Sequence, residues 1–191
     1  LSIFIIFTFI FDLGKSNPSN RIFIKTLNQI TNNTDGGVGL NIKNNSKEIV
    51  ANVSLKGNDK GIILCQGGKF GGWALFPNDG KPAYVYNYFG LKSYTIEAPN
   101  AIKNSKAEIK LEFAYDGDGT GKGGLAKLYI DGKQVAEGRV EKTQPAVFSA
   151  DETADVGRDD ATQVADKVFK NVKDSDFTGR VDKVKISIPK K

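Results

Sequence analysis

Ala107-Glu108-Ile109-Lys110-Leu111-Glu112-Phe113-Ala114-Tyr115 alternates without a break. Ile109, Leu111, Phe113 and Tyr115 fall on one side of an extended chain. Glu108, Lys110 and Glu112 fall on the other. Successive side chains of a strand point to opposite faces, so the stretch predicts a strand with one buried and one wet face. The pattern recurs in both directions along the chain. Glu48–Leu55 places Ile49, Ala51, Val53 and Leu55 together, and Val181–Ile188 places Val184, Ile186 and Ile188 together. Strands with one solvated face belong to antiparallel sheets.

Turn signals separate these runs. Asn78-Asp79-Gly80 joins GWALF to PAYVYNYF, and Asp131-Gly132 joins LAKLYI to KQVAEGRV. Asp-Gly between alternating runs predicts a tight hairpin. The 21 glycines punctuate short runs at intervals of about 8–12 residues, the spacing of a sandwich or barrel. About a dozen strands are predicted from Arg21 onward, too many for one open sheet. The expected fold is all-β, a two-sheet antiparallel sandwich of jelly-roll type over residues 21–191. One segment departs from the pattern. In Asp160–Lys170, Ala161, Val164, Ala165, Val168 and Phe169 recur at helical spacing behind a candidate cap, Asp160. Locally this predicts a short surface helix.

Composition excludes several chemistries. A length of 191 residues suits one domain, or one domain with a tail. The chain has no His, so the usual general base and commonest metal ligand are missing. Its one Cys, Cys65, forbids an internal disulfide, a Cys–His pair and any Cys-based zinc site. Within Ile62-Ile63-Leu64-Cys65 it reads as a small buried hydrophobe. The 27 basic and 22 acidic residues leave a mild net charge of +5. The densest basic run, Lys183, Lys185, Lys190 and Lys191, reads as a solvated strand face and tail. No basic stripe with interleaved aromatics occurs, so nucleic acid is not an expected partner.

Residues 1–20 are expected to stand apart as an apolar N-terminal segment and linker. Leu1–Phe11 carries no charge and is too short for a bilayer span of about 20 residues, so no stable membrane span is expected. Its length matches a secretory h-region, with Gly14 and Ser16 following, but no basic n-region precedes it. If residues 1–16 act as a signal peptide, the protein is periplasmic or secreted. A strand left over from a larger protein is the rival reading. The sequons at Asn32, Asn44 and Asn52 carry no functional weight in so Asn-rich a stretch.

Tyr115–Gly124 invites a calcium reading, because Asp116, Asp118 and Thr120 have calcium-loop spacing. An EF-hand then needs Glu where this chain has Lys127. A phosphate loop needs Ser or Thr where Gly123 follows Lys122. The segment reads as a flexible hairpin loop, with Asp116 and Asp118 as weak calcium candidates and no other metal or cofactor expected.

Longer strings stand in order: Gln66-Gly67-Gly68-Lys69-Phe70-Gly71-Gly72-Trp73-Ala74-Leu75, Asp79–Leu91, Phe113–Gly117 with Gly121–Gly124, Leu128–Lys133, Gly138–Val140, and Thr143-Gln144-Pro145 with Phe148–Glu152. Together they resemble the C-terminal region of bacterial arylsulfatases, sulfatases of the alkaline-phosphatase superfamily, from about Arg21 to Ile188. The resemblance implies a concanavalin-like or laminin-G-like sandwich, with an extended loop rather than a helix at 160–170. The sulfatase active site lies in an upstream domain, around a Cys or Ser in a Cys/Ser-x-Pro-x-Arg motif. Cys65 precedes Gln66-Gly67-Gly68 and does not match, so no catalytic residue carries over.

Two functions compete. In the first, the chain is a non-catalytic accessory domain whose partner is a sulfatase catalytic domain, in the same parent protein or a separate chain. Gln66, Gly67, Gly68, Gly71 and Gly72 then form a candidate glycine-rich interface loop. In the second, it is a carbohydrate-binding module for sulfated or neutral glycans. Trp73, Tyr84, Tyr86, Tyr88 and Tyr94 are the candidate rings, set against the reading that they line the core or a domain interface. Glycosidase chemistry needs paired carboxylates; Glu108 and Glu112 face solvent and do not converge.

Overall fold

The computed structural model describes residues 6–12, 42–148 and 153–189. Eleven strands are seen among them: β1 (Ile6–Asp12), β2 (Lys47–Ser54), β3 (Leu64–Gly68), β4 (Gly71–Asn78), β5 (Lys81–Tyr88), β6 (Lys92–Glu97), β7 (Lys106–Tyr115), β8 (Gly124–Ile130), β9 (Lys133–Val140), β10 (Thr153–Val156) and β11 (Arg180–Pro189). They form two antiparallel sheets, a six-stranded one in the order β1-β11-β2-β7-β8-β9 and a five-stranded one in the order β10-β3-β4-β5-β6. The protein is an all-β, two-sheet antiparallel sandwich. Of the apolar N-terminal segment, Ile6–Asp12 runs antiparallel along β11, with Ile6 opposite Pro189 and Asp12 opposite Lys183.

The Asp-Gly pairs make the hairpins their chemistry predicts. Asn78 pairs with Lys81 and Ile130 with Lys133, leaving two-residue loops. Asp79 and Gly80 have φ of 48° and 77°, and Asp131 and Gly132 have 48° and 79°. Positive φ at both central residues is the type I′ turn, whose twist matches that of paired strands.

The main core lies between the sheets. Ile49, Ala51 and Val53 from β2, Ile109, Leu111 and Phe113 from β7, and Val184 and Ile186 from β11 meet Trp73, Leu75, Tyr84 and Tyr86 from β4 and β5. The alternation of β2 and β7 is therefore their inward face. The outer face of their sheet is wet and charged, and there Glu48 stands opposite Glu112.

The five-stranded sheet differs from the expectation of one wet face. β3 is buried along its whole length, and β4 and β5 nearly so. A second apolar cluster explains this. Ile62, Cys65, Ala74, Phe76, Ala83 and Val85 on the outer face are covered by Val164, Ala165 and Phe169. Phe169 sets its ring edge-to-face on Phe76, with centroids 5.3 Å apart. The spacing that predicts a helix over 160–170 is thus the spacing of a covering segment, and no helix forms there. Only the Ala165 carbonyl accepts turn bonds, from Val168 and Phe169. Gln163 Nε2 instead donates to the carbonyls of Asp159 and Ala161, competing for backbone groups that a helix would need. Asp159, rather than Asp160, caps the turn by accepting from Val164 N–H at 2.8 Å.

Candidate functional site

The rings singled out from the sequence are core rings. Trp73, Tyr84, Tyr86 and Tyr94 are buried between the sheets, with Tyr88 packed against them. Trp73 and Tyr84 are tilted neighbours at 6.4 Å. Burial pushes the Tyr84 and Tyr86 hydroxyls well above the ordinary phenol range. The Tyr86 hydroxyl accepts from Gln144 N–H at 2.8 Å. These four rings offer no open face on which a sugar could stack.

The glycine-rich stretch is the tip of the β3–β4 hairpin, and its contacts are internal. Gly67, at φ 99°, lies so close to β4 that a Cβ there would stand 2.2 Å from the Gly71 carbonyl oxygen. A Cβ on Gly71 would meet Gln144 Oε1 at 1.9 Å. Gln144 is fully buried, and its Nε2 points at the carbonyls of Phe70, Val147 and Phe148. One side chain thereby fastens the hairpin tip to the strand-free segment 141–148. Gln66 is buried too, while Gly68 pairs with Gly71 at the hairpin end and Gly67 with Gly72.

What this end of the sandwich shows to solvent is apolar. Phe70 on the β3–β4 tip is 60% exposed, Phe89 and Leu91 on the β5–β6 tip are 42% and 85% exposed, and Val147 is 65% exposed. The two tips touch, because a Cβ on Gly90 would lie 3.0 Å from the Lys69 carbonyl oxygen and 3.8 Å from the Phe70 ring. Asn87 Nδ2 ties them further by donating to the Lys69 carbonyl at 2.9 Å. Gln144 brings Phe70 and Val147 to one point, and Phe89 stands edge-on to Tyr88 at 4.8 Å. Lys69 and Lys92 adjoin Phe70 and Leu91 in sequence; Lys92 pairs with Glu141 at 2.7 Å and lies over the Tyr94 ring. Single exposed apolar residues are ordinary, but large ones gathered on contiguous loops mark an interaction surface. In the sequence Phe70 and Leu91 stand only within longer strings and carry no signal of their own; the meeting of the two tips reveals them.

The Tyr115–Gly124 loop is organised from within. Asp116 is held by the Arg139 guanidinium in a two-pronged pair, which keeps its carboxyl below the usual range. Asn44 Oδ1 accepts from Gly121 N–H at 3.0 Å and the Tyr115 hydroxyl at 3.2 Å. Asp118 and Asp116 belong to no group of three acidic or Cys ligands among the described residues.

On the wet face, Lys110 reaches Glu112 at 2.6 Å and Glu48 at 3.9 Å, and Tyr129 donates to Glu112 at 2.7 Å. Lys110 holds the Glu112 carboxyl below its usual range. A carboxyl so placed stays ionised and serves poorly as a proton donor.

No protein-family model matches the chain, and a search of curated proteins returns no match. Solved structures do resemble it. Domains LG4-5 of the mouse laminin alpha1 chain align with a TM-score of 0.51 and 10% identity, over 78% of this chain and 36% of that one. The fold is a concanavalin-like jelly roll. A heptameric SAP-like pentraxin of Limulus polyphemus aligns at 0.45 and 13%, over 75% of this chain and 61% of that one. The CBM40 of a Ruminococcus gnavus IT-sialidase, solved with alpha2,6 sialyllactose, aligns at 0.48 and 16%, over 74% and 76%. The chain thus spans about two fifths to three fifths of the laminin and pentraxin chains.

Proposed function

We propose that the chain is a non-catalytic binding module that docks through the loop end carrying Phe70, Phe89, Leu91 and Val147. One observation carries the reading. Four large apolar side chains are exposed together there, while the rings that a binding face would otherwise use are in the core. An exposed apolar centre is the anatomy of a protein interface. The sequence resemblance to arylsulfatase C-terminal regions supplies the partner, a sulfatase catalytic domain of the same parent protein or a separate chain.

The test is mixing with such a catalytic domain, followed by calorimetry. Binding by the wild type, lost in Phe70→Ser/Leu91→Ser, is the expected result; equal binding by both rejects the site. The chain alone is expected to leave aryl sulfate esters untouched, and turnover by pure protein would overturn the non-catalytic assignment.

A second reading rests on the exposed Phe70 and Phe89 rings beside Lys69 and Lys92. Exposed rings with lysines adjacent in the chain suit an acidic glycan, and the CBM40 above was solved with a sialylated sugar. Titration with sulfated, sialylated and neutral glycans, followed at amide resonances, decides it. Shifts confined to residues 69–70 and 89–92 favour the glycan; none leaves the protein interface.

A further inference from the structure

Cys65 and Asp155 are direct cross-strand partners in the β3–β10 pairing. Opposed residues of an antiparallel pair put their side chains on one face, here the outer face that the 157–177 segment covers. Four residues on, the chain doubles back and Asp159 joins them. One ligand atom from each, the thiol sulfur and two carboxylate oxygens, lie within 4.8 Å of one another. Cys65 and Asp159 are fully buried.

Asp159 has a conspicuous defect for a mere loop cap. Its Oδ2 accepts from Val164 N–H, but its Oδ1 is buried with no hydrogen-bond partner among the described residues. An orphaned carboxylate oxygen out of water is costly unless something positive meets it. Arg158, the adjacent basic residue, turns its guanidinium to Asp176 and Asp160 instead. The Cys65 sulfur also lies 3.9 Å from the Arg158 carbonyl oxygen.

We infer that Cys65, Asp155 and Asp159 form a binding site for a thiophilic divalent cation of the zinc class, which staples the covering segment to the edge of the five-stranded sheet. One sulfur and two carboxylate oxygens are donors that zinc accepts, whereas calcium and magnesium prefer oxygen alone. Three protein ligands leave a further position for water or for the Arg158 carbonyl. Asp155 is half-buried and marks the side of entry. Binding requires the thiolate, so it releases a proton from a thiol that burial holds well above its ordinary range. The site runs against the sequence expectation that a single Cys forbids a Cys-based zinc site, because that expectation counts thiols and imidazoles and leaves out carboxylates that the fold brings to the thiol. Here the second carboxylate arrives 94 residues after the thiol.

The full chain, stripped with a chelator and dialysed, is titrated with Zn²⁺ alone and separately with Co²⁺. One equivalent of Zn²⁺ is expected to bind and to raise the unfolding temperature further as its concentration rises. Co²⁺ is expected to show a thiolate-to-metal charge-transfer band. Cys65→Ala should abolish the band and weaken Zn²⁺ at least about a hundredfold, beyond what losing an outer partner costs. Asp159→Asn keeps an oxygen for Val164 N–H and should weaken Zn²⁺ likewise. Sub-stoichiometric binding, Co²⁺ without the band, or undiminished binding by Cys65→Ala would each overturn the site. Cys65→Ala removes only a small buried side chain, so it reports even if Asp159→Asn does not fold.

Discussion

Lys47 enters the core on the same face of β2 as Ile49, Ala51 and Val53. Its ammonium lies 4.9 Å from the Phe113 ring and 5.7 Å from Trp73, and reaches one oxygen, the Ile42 carbonyl, at 3.4 Å. Burial, with the nearby Lys43 charge behind it, brings its pKa from 10.5 down to about 7. The sign follows from proton counts. From about pH 7 to the ordinary lysine range the unfolded chain holds the proton and the folded chain does not, so stability rises with pH across that window. Below pH 7 the cost of burying the charge is present in full. At about 1.4 kcal/mol per unit, the swing is on the order of a few kcal/mol. Urea midpoints of the wild type should therefore climb between about pH 7 and 8, below the range where the unfolded Cys65 thiol and the unfolded tyrosines lose protons that the fold retains, while Lys47→Met should lack that climb and be more stable at neutral pH. Equal slopes would show that Lys47 keeps its proton in the fold. Gln144 is a different case, a buried amide whose Nε2 finds carbonyl partners while its Oε1 finds none among the described residues. Gln144→Ala leaves three carbonyl oxygens without their donor and should cost about 1–3 kcal/mol. Gly71→Ala should cost more in the wild type than in Gln144→Ala, since the nearest atoms it meets all belong to Gln144. Equal costs in a double-mutant cycle would assign the penalty to the backbone alone.

Hairpins are the elements most legible in the sequence, because their signal is local. Asp79-Gly80 and Asp131-Gly132 carry the required φ values in two adjacent residues. β2 and β7 are legible for the same reason, since period-two alternation needs no knowledge of the partner. The covering segment is different. Val164, Ala165 and Phe169 are apolar because β3–β5 lie beneath them, and helical spacing cannot be told from this without the sheet. Tyr84 and Tyr86 show the same limit. Their shared side is plain from alternation, but both faces of β5 are buried, so alternation does not say whether that side meets a ligand or the other sheet. The cover is an element with its own stability. Phe169→Ala removes its largest anchor and creates a cavity against Phe76, worth about 3–5 kcal/mol for a buried aromatic. The loss should fall on local opening. Hydrogen exchange at Val164, Val168 and Phe169 should quicken strongly, while amides of β2 and β7 keep nearly wild-type protection. Uniform acceleration across both sheets would mean that the cover and the sandwich unfold together.

At the scale of the molecule, a sandwich must manage its open sheet edges, and this one does so unequally. The β9 edge lies against β6, the edge of the other sheet, so closely that a Cβ on Gly138 would stand 2.5 Å from Ile96 Cγ1, and the β10 edge is only four residues long. On the far side of the six-stranded sheet the edge belongs to β1, which pairs residue by residue with β11 from Ile6 to Asp12. β11 contributes Val181, Val184 and Ile186 to the core from its inner face and is hydrogen-bonded to β2 on its other side. It is therefore fixed without β1, and removing residues 1–12 should leave the sandwich folded. What the removal exposes is backbone, a row of unpaired groups along the seven residues of β11 from Lys183 to Pro189. Such an edge is a template for another chain, blunted here by Lys183 and Lys185 and by Pro189 at its end. The truncated chain is thus expected to keep its β-sheet circular dichroism and a cooperative unfolding transition, yet to self-associate as its concentration rises in sedimentation. Raising salt should worsen the association, because it screens the two lysines that oppose it. Loss of the cooperative transition would place β1 in the folding core. A monomer at every concentration would show that the lysines and Pro189 suffice to guard the edge.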